Sequence, residues 1–507
     1  MELFFRNHDY KYAIEQIMLM LFPGERPVYP DRMPPEGLPL YAVVTLDEDS
    51  ERFYALTDLF QNGVRYEGRA SVFRQELTDP ILSLRAQQRI LKESFYRASV
   101  QLLGKKPVWG ALSGVRPARL MRAVLRETPD DAHAMARFME LYDVSPGRTA
   151  LCLDAAKQAA EADRQLEQRD VCLYISIPFC PTRCAYCSFV SQSVEKSMAL
   201  IPPYLEALRK DLFATAAAVE EAGLRVVSVY FGGGTPTTLS PEQLGRLLEL
   251  LFDEFDLSFC REVTVEAGRP DTITGEKLAV LSEFGVNRVS VNPQSMSDRV
   301  LAAIGRRHSA ADVIDALALV KSAGSFTVNM DVIAGLPEDS LKDFRETVEL
   351  VLRMEPENIT VHTLTLKRGS RITTEGIHLP SGREVGEMLE QAEHLLRRRD
   401  YRPYYLYRQK YMSGGYENVG WTRPGKENLY NICVMEELRS VISMGAGAST
   451  KLTVGDGRLQ RMLSPKYPRE YMDSIHKVCA DKERIVDFYR SLREGGTAEN
   501  QKAGEAK

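Results

Sequence analysis

The strongest constraint on the fold is a regular alternation of short apolar segments with helical segments after Cys172. Six segments are rich in apolar and β-branched residues, as expected for parallel strands that are covered on both faces. They lie at Cys172–Pro178, Arg225–Phe231, Glu262–Glu266, Arg288–Pro293, Thr327–Ile333 and Asn358–Leu366. Six strand–helix units predict an α/β fold with right-handed crossovers, either a partial barrel or a doubly wound sheet.

Helix-start signals support this alternation. Ser240 precedes Pro241 and is followed at the third position by Gln243, which predicts a capping box with Pro at the first helical position. Ser309 and Ser340 are the predicted caps of two later helices. In a partial barrel and in a doubly wound sheet alike, the chemistry belongs at the carboxyl ends of the strands.

The regions on either side of this alternation have a different character, which predicts three segments. Residues 1–165 are expected to form an α+β domain that ends in a helical connector, residues 166–380 the core barrel, and residues 381–507 a C-terminal substrate-facing region with a loose tail at 493–507. The elements expected outside the barrel are helices at Tyr12–Phe22, Gln87–Leu103 and Glu384–Arg399 and alternating segments at Leu40–Leu46 and Phe53–Tyr66.

Composition excludes several classes of protein. The 507 residues are 44% hydrophobic and 27% charged, which is typical of a globular chain of roughly three domains. The 65 basic and 70 acidic residues leave a net charge of −5, without the basic excess of a nucleic-acid-binding protein. Met1–Asp9 carries charge too early for a signal peptide, and Ile17–Phe22 is too short to span a membrane. We therefore expect a cytoplasmic protein with neither a nucleic acid nor a membrane as partner.

Three of the eight cysteines are clustered directly after the first predicted strand. Cys180, Cys184 and Cys187 have the spacing C-x3-C-x2-C, whereas the other five are dispersed. Cysteine thiolates hold iron–sulfur clusters, and three local ligands would leave one iron of a [4Fe–4S] cluster free to bind another molecule. A zinc site that is completed by a remote His or Cys is the alternative.

This segment resembles the radical S-adenosylmethionine (SAM) enzymes, whose motif is C-x3-C-x-aromatic-C on the loop after the first strand. The resemblance implies that the three cysteines bind three irons, and that the amine and carboxylate of SAM chelate the fourth. It places Tyr186 next to the adenine and also assigns Tyr174, on the first strand, to the cofactor site.

A glycine-rich motif, Tyr230–Thr237 (YFGGGTPT), follows the second predicted strand. Glycines let backbone N–H groups approach a ligand closely, although such a run alone could be a tight strand-to-helix turn. The motif resembles the radical SAM loop that binds the methionyl amino group, which implies this role for Gly233, Gly234 and Thr235. The string GGGTPT is characteristic of the branch that contains the oxygen-independent coproporphyrinogen III oxidases.

Five later residues match this branch in chain order, each in the last part of a predicted strand or after it. Any one of them could be a helix cap or a solvated strand end, but their ordered recurrence favours a shared site. By resemblance, SAM is contacted by Glu266, Gln294, Arg306 and Asp331, and the adenosine by the backbone of Thr365.

The strings Ser176–Cys184 and Gly445–Lys451 further resemble the HemZ-type coproporphyrinogen dehydrogenases of Gram-positive bacteria. The resemblance implies oxidative decarboxylation of two propionates of coproporphyrinogen III to vinyl groups, which yields protoporphyrinogen IX. It also implies a [4Fe–4S] cluster, one or two SAM molecules and an electron donor such as flavodoxin or ferredoxin. It identifies no catalytic residue beyond those that hold the cofactors.

Coproporphyrinogen III carries four carboxylates, so its site needs cations. Candidate cations follow the sixth strand or lie in the Tyr-rich C-terminal stretch: Lys367, Arg368, Arg408, Lys410, Arg423 and Lys426. The aromatic residues of that stretch could line a macrocycle pocket or form a small core: Tyr404, Tyr405, Tyr407, Tyr411, Tyr416 and Trp421.

One departure from the branch bears on the reaction. Ser176 stands where the better-known oxygen-independent oxidase has His, and a serine cannot take over a proton-handling role of that histidine. The same SAM core also occurs in haem chaperones of the HemW type and in other radical SAM enzymes that act on tetrapyrroles. These remain the alternatives to the dehydrogenase.

The cysteine motif generates a first prediction. Protein that is isolated anaerobically should contain iron and sulfide, and Cys184→Ala should lose SAM cleavage because one cluster ligand is missing. Metal and sulfide analysis, with mass detection of 5′-deoxyadenosine, checks both statements. Stoichiometric zinc without iron or sulfide would contradict the cluster.

Overall fold

The chain is described by a computed structural model that covers residues 1–30, 38–76, 79–187, 192–365, 372, 378–409, 412–455 and 458–504. It divides into two compact units. The first comprises Met1–Leu153 and Arg408–Tyr411, and the second comprises Asp154–Tyr407 and Met412–Lys507. The barrel and the C-terminal region thus share one unit. The division into three segments at residues 165 and 380 stays a prediction.

The first unit is built on a four-stranded sheet with the order β1-β2-β3-β4. Its strands are β1 (Glu2–Arg6), β2 (Leu40–Glu48), β3 (Arg52–Gln61) and β4 (Val64–Phe73), and its helices are α1 (Lys11–Leu21), α2 (Pro80–Leu103), α3 (Pro117–Glu127), α4 (Asp131–Tyr142) and the first part of α5 (Pro146–Arg164). Phe53–Tyr66, expected as one alternating segment, is a hairpin. Asn62 and Gly63 both have positive φ angles at its turn, as a two-residue hairpin loop requires.

All six predicted barrel strands are present in the second unit, where they form one parallel sheet. They are β5 (Asp170–Ile177), β8 (Arg225–Gly233), β9 (Glu262–Glu266), β10 (Arg288–Ser290), β11 (Thr327–Ala334) and β12 (Asn358–Thr363), with the short strands β6 (Phe179–Cys180) and β7 (Gln192–Ser193) after β5. Each barrel strand pairs in parallel with the next. The sheet order β13-β14-β12-β11-β10-β9-β8-β5-β15-β16-β17 is open within the described residues, which confirms a partial α/β barrel.

The C-terminal region contributes five further strands to this sheet. β13 (Arg402–Tyr407) and β14 (Asn418–Thr422) extend it antiparallel beyond β12, whereas β15 (Ser440–Met444) lies parallel beside β5, followed by β16 (Ser449–Leu452) and β17 (Gln460–Leu463). None of these strands was expected from the sequence. Part of the predicted substrate-facing region is therefore structural sheet.

Helices connect these strands. They are α6 (Val194–Ser197), α7 (Ile201–Ala222), α8 (Pro241–Glu254), α9 (Gly275–Glu283), α10 (Asp298–Ala303), α11 (Ala310–Ala323), α12 (Leu341–Met354), α13 (Gly382–Arg397), α14 (Leu429–Glu436), α15 (Pro468–Asp473), α16 (Ile475–Ala480) and α17 (Glu483–Gly504). The predicted caps Ser240, Ser309 and Ser340 are all observed, the first two as capping boxes.

Residues 493–504, expected to be part of a loose tail, continue α17, since Ala, Glu, Gln and Lys favour helix. No described helix has the length and hydrophobicity needed to cross a membrane.

Three aromatic residues of the Tyr-rich stretch are buried in the second unit. Tyr404, Tyr405 and Trp421 are buried, and Tyr405 donates or accepts a hydrogen bond at 3.2 Å with Thr360 on β12. A Cβ atom at Gly420 would lie 1.9 Å from the Tyr405 ring, so glycine on β14 makes room for this side chain. The structure therefore supports a role of these three aromatic residues in the protein core rather than in a macrocycle pocket.

A buried ion pair connects α7 to a residue between α16 and α17. Lys482 Nζ lies 2.7 Å from Asp211 Oδ1, and both side chains are at most 5% exposed. Asp211 Oδ2 also accepts hydrogen bonds from the Gly445 N–H at 3.0 Å and from the Tyr471 hydroxyl at 2.8 Å. The carboxylate thereby fixes the backbone that follows β15.

Removing the lysine from this pair should destabilise the fold. We expect Lys482→Met to lower the free energy of unfolding by about 3–5 kcal/mol, because it leaves the buried Asp211 carboxylate without its counter-charge. Urea denaturation of the two proteins measures the difference. The exposed Lys477 on α16 provides the control variant Lys477→Met, and equal losses in both variants would contradict the role of the pair.

Candidate active site

The three clustered cysteines lie on the loop that follows β5, at the carboxyl edge of the parallel sheet. All three cysteines are half-buried. The loop turns where the Cys187 N–H donates to the Cys184 carbonyl at 3.1 Å, and it is held where the Ala185 N–H donates to the Ile304 carbonyl at 3.0 Å. A segment that is distant in sequence thus positions the second and third cysteines.

The glycine-rich motif packs directly against the start of this loop. The Gly234 N–H donates to the Ile177 carbonyl at 2.8 Å, and the Thr235 N–H donates to the Phe179 carbonyl at 2.7 Å. Gly233 has φ +104°, and a Cβ atom at Gly234 would lie 2.5 Å from the Phe179 oxygen. Glycine is required here because two backbone segments meet, and the same contacts bring the Thr235 hydroxyl 3.6 Å from the Cys180 sulfur.

Three of the predicted cofactor residues form one hydrogen-bonded chain. Arg306 Nη2 donates to the Tyr186 hydroxyl at 3.1 Å, which donates to Gln294 Oε1 at 3.1 Å. Gln294 has φ +65°, a strained conformation for a residue with a side chain. Backbone bonds to Asp331 and Ile333 on β11, at 2.9 and 3.0 Å, hold it there.

Two carboxylates face the interior at the same edge but differ in their ionisation. Burial raises the pKa of Glu266 to about 7, although a 2.6 Å hydrogen bond from the Tyr230 hydroxyl opposes the rise. Burial also disfavours the Asp331 carboxylate, but its contact with His362 and a 2.8 Å hydrogen bond from Asn329 outweigh burial and leave its pKa below the usual value. Asp331 thus keeps its charge at a pH where Glu266 is partly protonated.

Tyr174 and Thr365 are two further residues that were predicted to contact the cofactor. Tyr174 is stacked at 6.3 Å from Tyr230 and at 6.1 Å from Tyr430, within the aromatic core of the barrel. Thr365 lies just beyond β12, where it pairs with Met412. The contact of each predicted residue with SAM stays a prediction.

Ser176 has a structural environment. Its hydroxyl donates to the Ala446 carbonyl at 2.8 Å, and its own carbonyl accepts from the Tyr204 hydroxyl at 2.7 Å. A Cβ atom at Gly445 would lie 2.7 Å from the Ser176 oxygen, so the glycine of the GAGAST string permits this packing. The string thereby joins the end of β15 to the end of β5.

The candidate substrate cations do not all belong to the same unit. Arg408 belongs to the first unit, where its guanidinium group donates to the Leu112 carbonyl and lies 4.9 Å from the Trp109 ring. Arg423 and Lys426 follow β14, which runs antiparallel to β12. The Arg423 N–H donates to the Glu357 carbonyl just before β12, so both residues lie at the amino-terminal edge of the parallel strands, opposite the cysteine loop. A role of Arg423 and Lys426 at the site of the cysteine loop is therefore not supported. Lys367, Arg368, Lys410 and Tyr411 lie outside the described residues.

Arg269 is the main site residue that was not singled out from the sequence. It lies three residues after the end of β9, is 3% exposed, and places Nη1 3.9 Å from the Cys184 sulfur. Its position just past a strand end is a signal that could have identified it.

The surroundings of the cysteines suit thiolate ligands of an iron–sulfur cluster. The Thr235 hydroxyl lies 3.6 Å from the Cys180 sulfur, and Arg269 Nη1 lies 3.9 Å from the Cys184 sulfur. Such donors stabilise the thiolate form that binds iron.

Comparison with known proteins identifies the family. Residues 174–351 match the model of the radical SAM superfamily. The chain is 37% identical over 385 residues to the oxygen-independent coproporphyrinogen-III oxidase-like protein HemZ of Bacillus subtilis, a match that covers 75% of this chain and 77% of HemZ. The chain belongs to the HemZ family of radical SAM proteins. The superfamily uses a [4Fe–4S] cluster and SAM, which confirms the predicted cofactors and disfavours zinc.

Two further proteins are similar to this HemZ-family chain over a smaller share of its length. The haem chaperone HemW of Escherichia coli is 28% identical over 300 residues, which cover 59% of this chain and 75% of HemW. The solved structure of the coproporphyrinogen III oxidase HemN from Escherichia coli superposes with a TM-score of 0.51 at 23% identity, over 64% of this chain and 72% of HemN. That likeness shows a shared fold.

The Tyr230–Glu266 hydrogen bond generates a prediction about pH. If the Glu266 carboxylate binds SAM, affinity is present above its pKa of about 7 and is lost as the pH falls through that value. Tyr230→Phe removes the hydrogen bond that favours the carboxylate, so the pH at which SAM affinity is lost should rise by about one unit. Equilibrium dialysis between pH 6 and 9 measures the SAM affinity of both proteins.

The matched control is Glu266→Gln, which carries no titrating group at this position. Its SAM affinity should be weak and independent of pH across the same range. A Tyr230→Phe profile that coincides with that of the native protein would contradict the coupling between the two residues.

Proposed function

We propose that the chain catalyses the oxygen-independent conversion of coproporphyrinogen III to protoporphyrinogen IX by radical SAM chemistry. The observation that carries this proposal is the similarity to HemZ at 37% identity over about three-quarters of both chains. The cysteine loop, the glycine motif and the strand-end polar residues at one sheet edge support it.

The chain's part in this reaction is to bind and orient the cofactors. Cys180, Cys184 and Cys187 would hold the cluster, whereas the glycine motif and Arg306 would hold SAM. When bound, these cofactors would supply a 5′-deoxyadenosyl radical, an oxidant able to take a hydrogen atom from the propionate β-carbon; release of CO2 with formation of the vinyl group also requires an acceptor for one electron per propionate. The protein otherwise supplies orientation, electrostatics and the exclusion of water.

The burial of this edge fits the exclusion of water. Thr235 is 2% exposed and Gln294 is 6% exposed, so both polar side chains are shielded from solvent and held by protein partners. A shielded site protects a carbon radical from side reactions.

Ser176 is assigned a structural role in this proposal. Its hydroxyl donates a hydrogen bond to the Ala446 carbonyl, and the residue is only 4% exposed. We infer that no proton is transferred through this position, so the serine is compatible with the decarboxylation.

A haem chaperone of the HemW type is the second candidate. Its support is the 28% identity to HemW over 75% of that protein. The match to HemZ covers 75% of this chain and the match to HemW 59%, so more of the chain is shared with HemZ. A chaperone would bind haem stoichiometrically and transfer it without turnover of coproporphyrinogen.

The deciding measurement is anaerobic turnover. Protein reconstituted with iron and sulfide, and supplied with SAM, a reductant and coproporphyrinogen III, should form protoporphyrinogen IX, CO2 and 5′-deoxyadenosine. Cys184→Ala should form none of them, whereas Cys479→Ser, at a half-buried thiol on α16, should retain activity.

Two outcomes would go against the dehydrogenase. SAM cleavage without any porphyrin product would leave the radical SAM chemistry intact and contradict the substrate. Stoichiometric haem binding and transfer under the same conditions, without CO2 release, would favour the chaperone.

A further inference from the structure

A buried arginine lies against one of the cluster cysteines. Arg269 Nη1 lies 3.9 Å from the Cys184 sulfur and 3.4 Å from the Thr182 carbonyl, while Nη2 donates to the Thr182 hydroxyl at 3.1 Å. Both arms of the guanidinium group therefore touch the loop that carries the cysteines. Neither contact involves the residues predicted to bind SAM.

Arg269 is fixed in this position from its other side. Its Nε lies 3.2 Å from Asp271 Oδ1, and the arginine side chain is 3% exposed. The Asp271 side chain is 32% exposed, so solvent screens the carboxylate more than the guanidinium group. The positive charge next to Cys184 is therefore only partly neutralised.

The surroundings reinforce this charge. The Arg306 guanidinium group also faces the Cys184 thiol. Burial, together with the neighbouring Arg306 and Arg269, lowers the pKa of His308 to about 4, so this residue is neutral and adds no charge at neutral pH. Two buried guanidinium groups, those of Arg269 and Arg306, thus face Cys184.

We propose that Arg269 is a positioning residue for the cluster, which holds the Cys184 loop and raises the reduction potential through its charged N–H donation to the Cys184 sulfur. Hydrogen bonds to the ligand sulfurs and nearby charge set the potentials of iron–sulfur clusters. The reduced cluster carries one more negative charge, so a buried cation stabilises it more than the oxidised form. This role concerns electron entry and does not depend on the identity of the substrate.

The test is a redox titration of the reconstituted protein without SAM, followed by electron paramagnetic resonance. Arg269→Gln keeps an amide donor but removes the charge. We expect the ratio of reduced to oxidised cluster at a fixed potential to fall about tenfold, which is about 59 mV for a one-electron couple. The control is Arg246→Gln, at an arginine that is 78% exposed on α8, which should leave the midpoint unchanged.

A second variant tests the opposite direction. Asp271→Asn removes the carboxylate that partly neutralises Arg269, so the midpoint should rise. It also provides the test if Arg269→Gln fails to assemble a cluster. A merely structural arginine would move neither midpoint.

The outcomes are distinct. A lower midpoint in Arg269→Gln, with full iron and sulfide content, supports the proposal, whereas an unchanged or higher midpoint in that variant overturns it. If Arg269→Gln assembles no cluster, a higher midpoint in Asp271→Asn supports the proposal, and an unchanged or lower one overturns it. Absence of porphyrinogen turnover would contradict the proposed function but leave this result standing.

Discussion

The parallel pairing of β5 with β8 is the interaction on which the rest of the site depends. It brings Ile177 and Gly233 into register at the carboxyl ends of the two strands. From there, the backbone bonds of Gly234 and Thr235 to the segment after β5 fix the start of the cysteine loop. A side chain at Gly234 would clash with that backbone, so the pairing and the glycine motif require one another.

The same edge concentrates groups that would be costly elsewhere. Glu266 is a buried carboxyl with a raised pKa, Gln294 has a positive φ angle, and Arg269 and Arg306 are cations beside thiols. Buried polar groups of this kind are tolerated only where partners fix them, and here each has a partner from another strand end or loop. Such strain is typical of sites that need a fixed geometry before a ligand arrives.

The C-terminal region is integrated into the barrel unit. β15 lies beside β5 in parallel, and the buried pair of Asp211 with Lys482 holds the backbone after it. At the other end, β14 follows β12, and the ring of Tyr405 occupies the space left by Gly420. The β5 end of the cofactor edge is therefore held by residues that follow it in the chain by more than 200 positions.

Local sequence signals were sufficient for the six barrel strands and the caps at Ser240, Ser309 and Ser340, because periodicity and capping act over a few residues. They were insufficient for β13 and β14, since a strand in a Tyr- and Gly-rich stretch is defined by the neighbour it pairs with. The same limit applied to Arg423 and Lys426, whose charge indicated a site but whose strand register places them at the opposite edge.

The sequence by itself determined the chemistry of this protein: the cysteine spacing, the glycine motif and the order of strand-end residues are local patterns that identify a radical SAM chain. Only the tertiary structure decided which of these residues meet. It joined Tyr186, Gln294 and Arg306 into one hydrogen-bonded chain, gave Ser176 a structural role and brought Arg269 to Cys184. Such contacts depend on strand order and on long-range backbone geometry, and neither is encoded in a short run of residues.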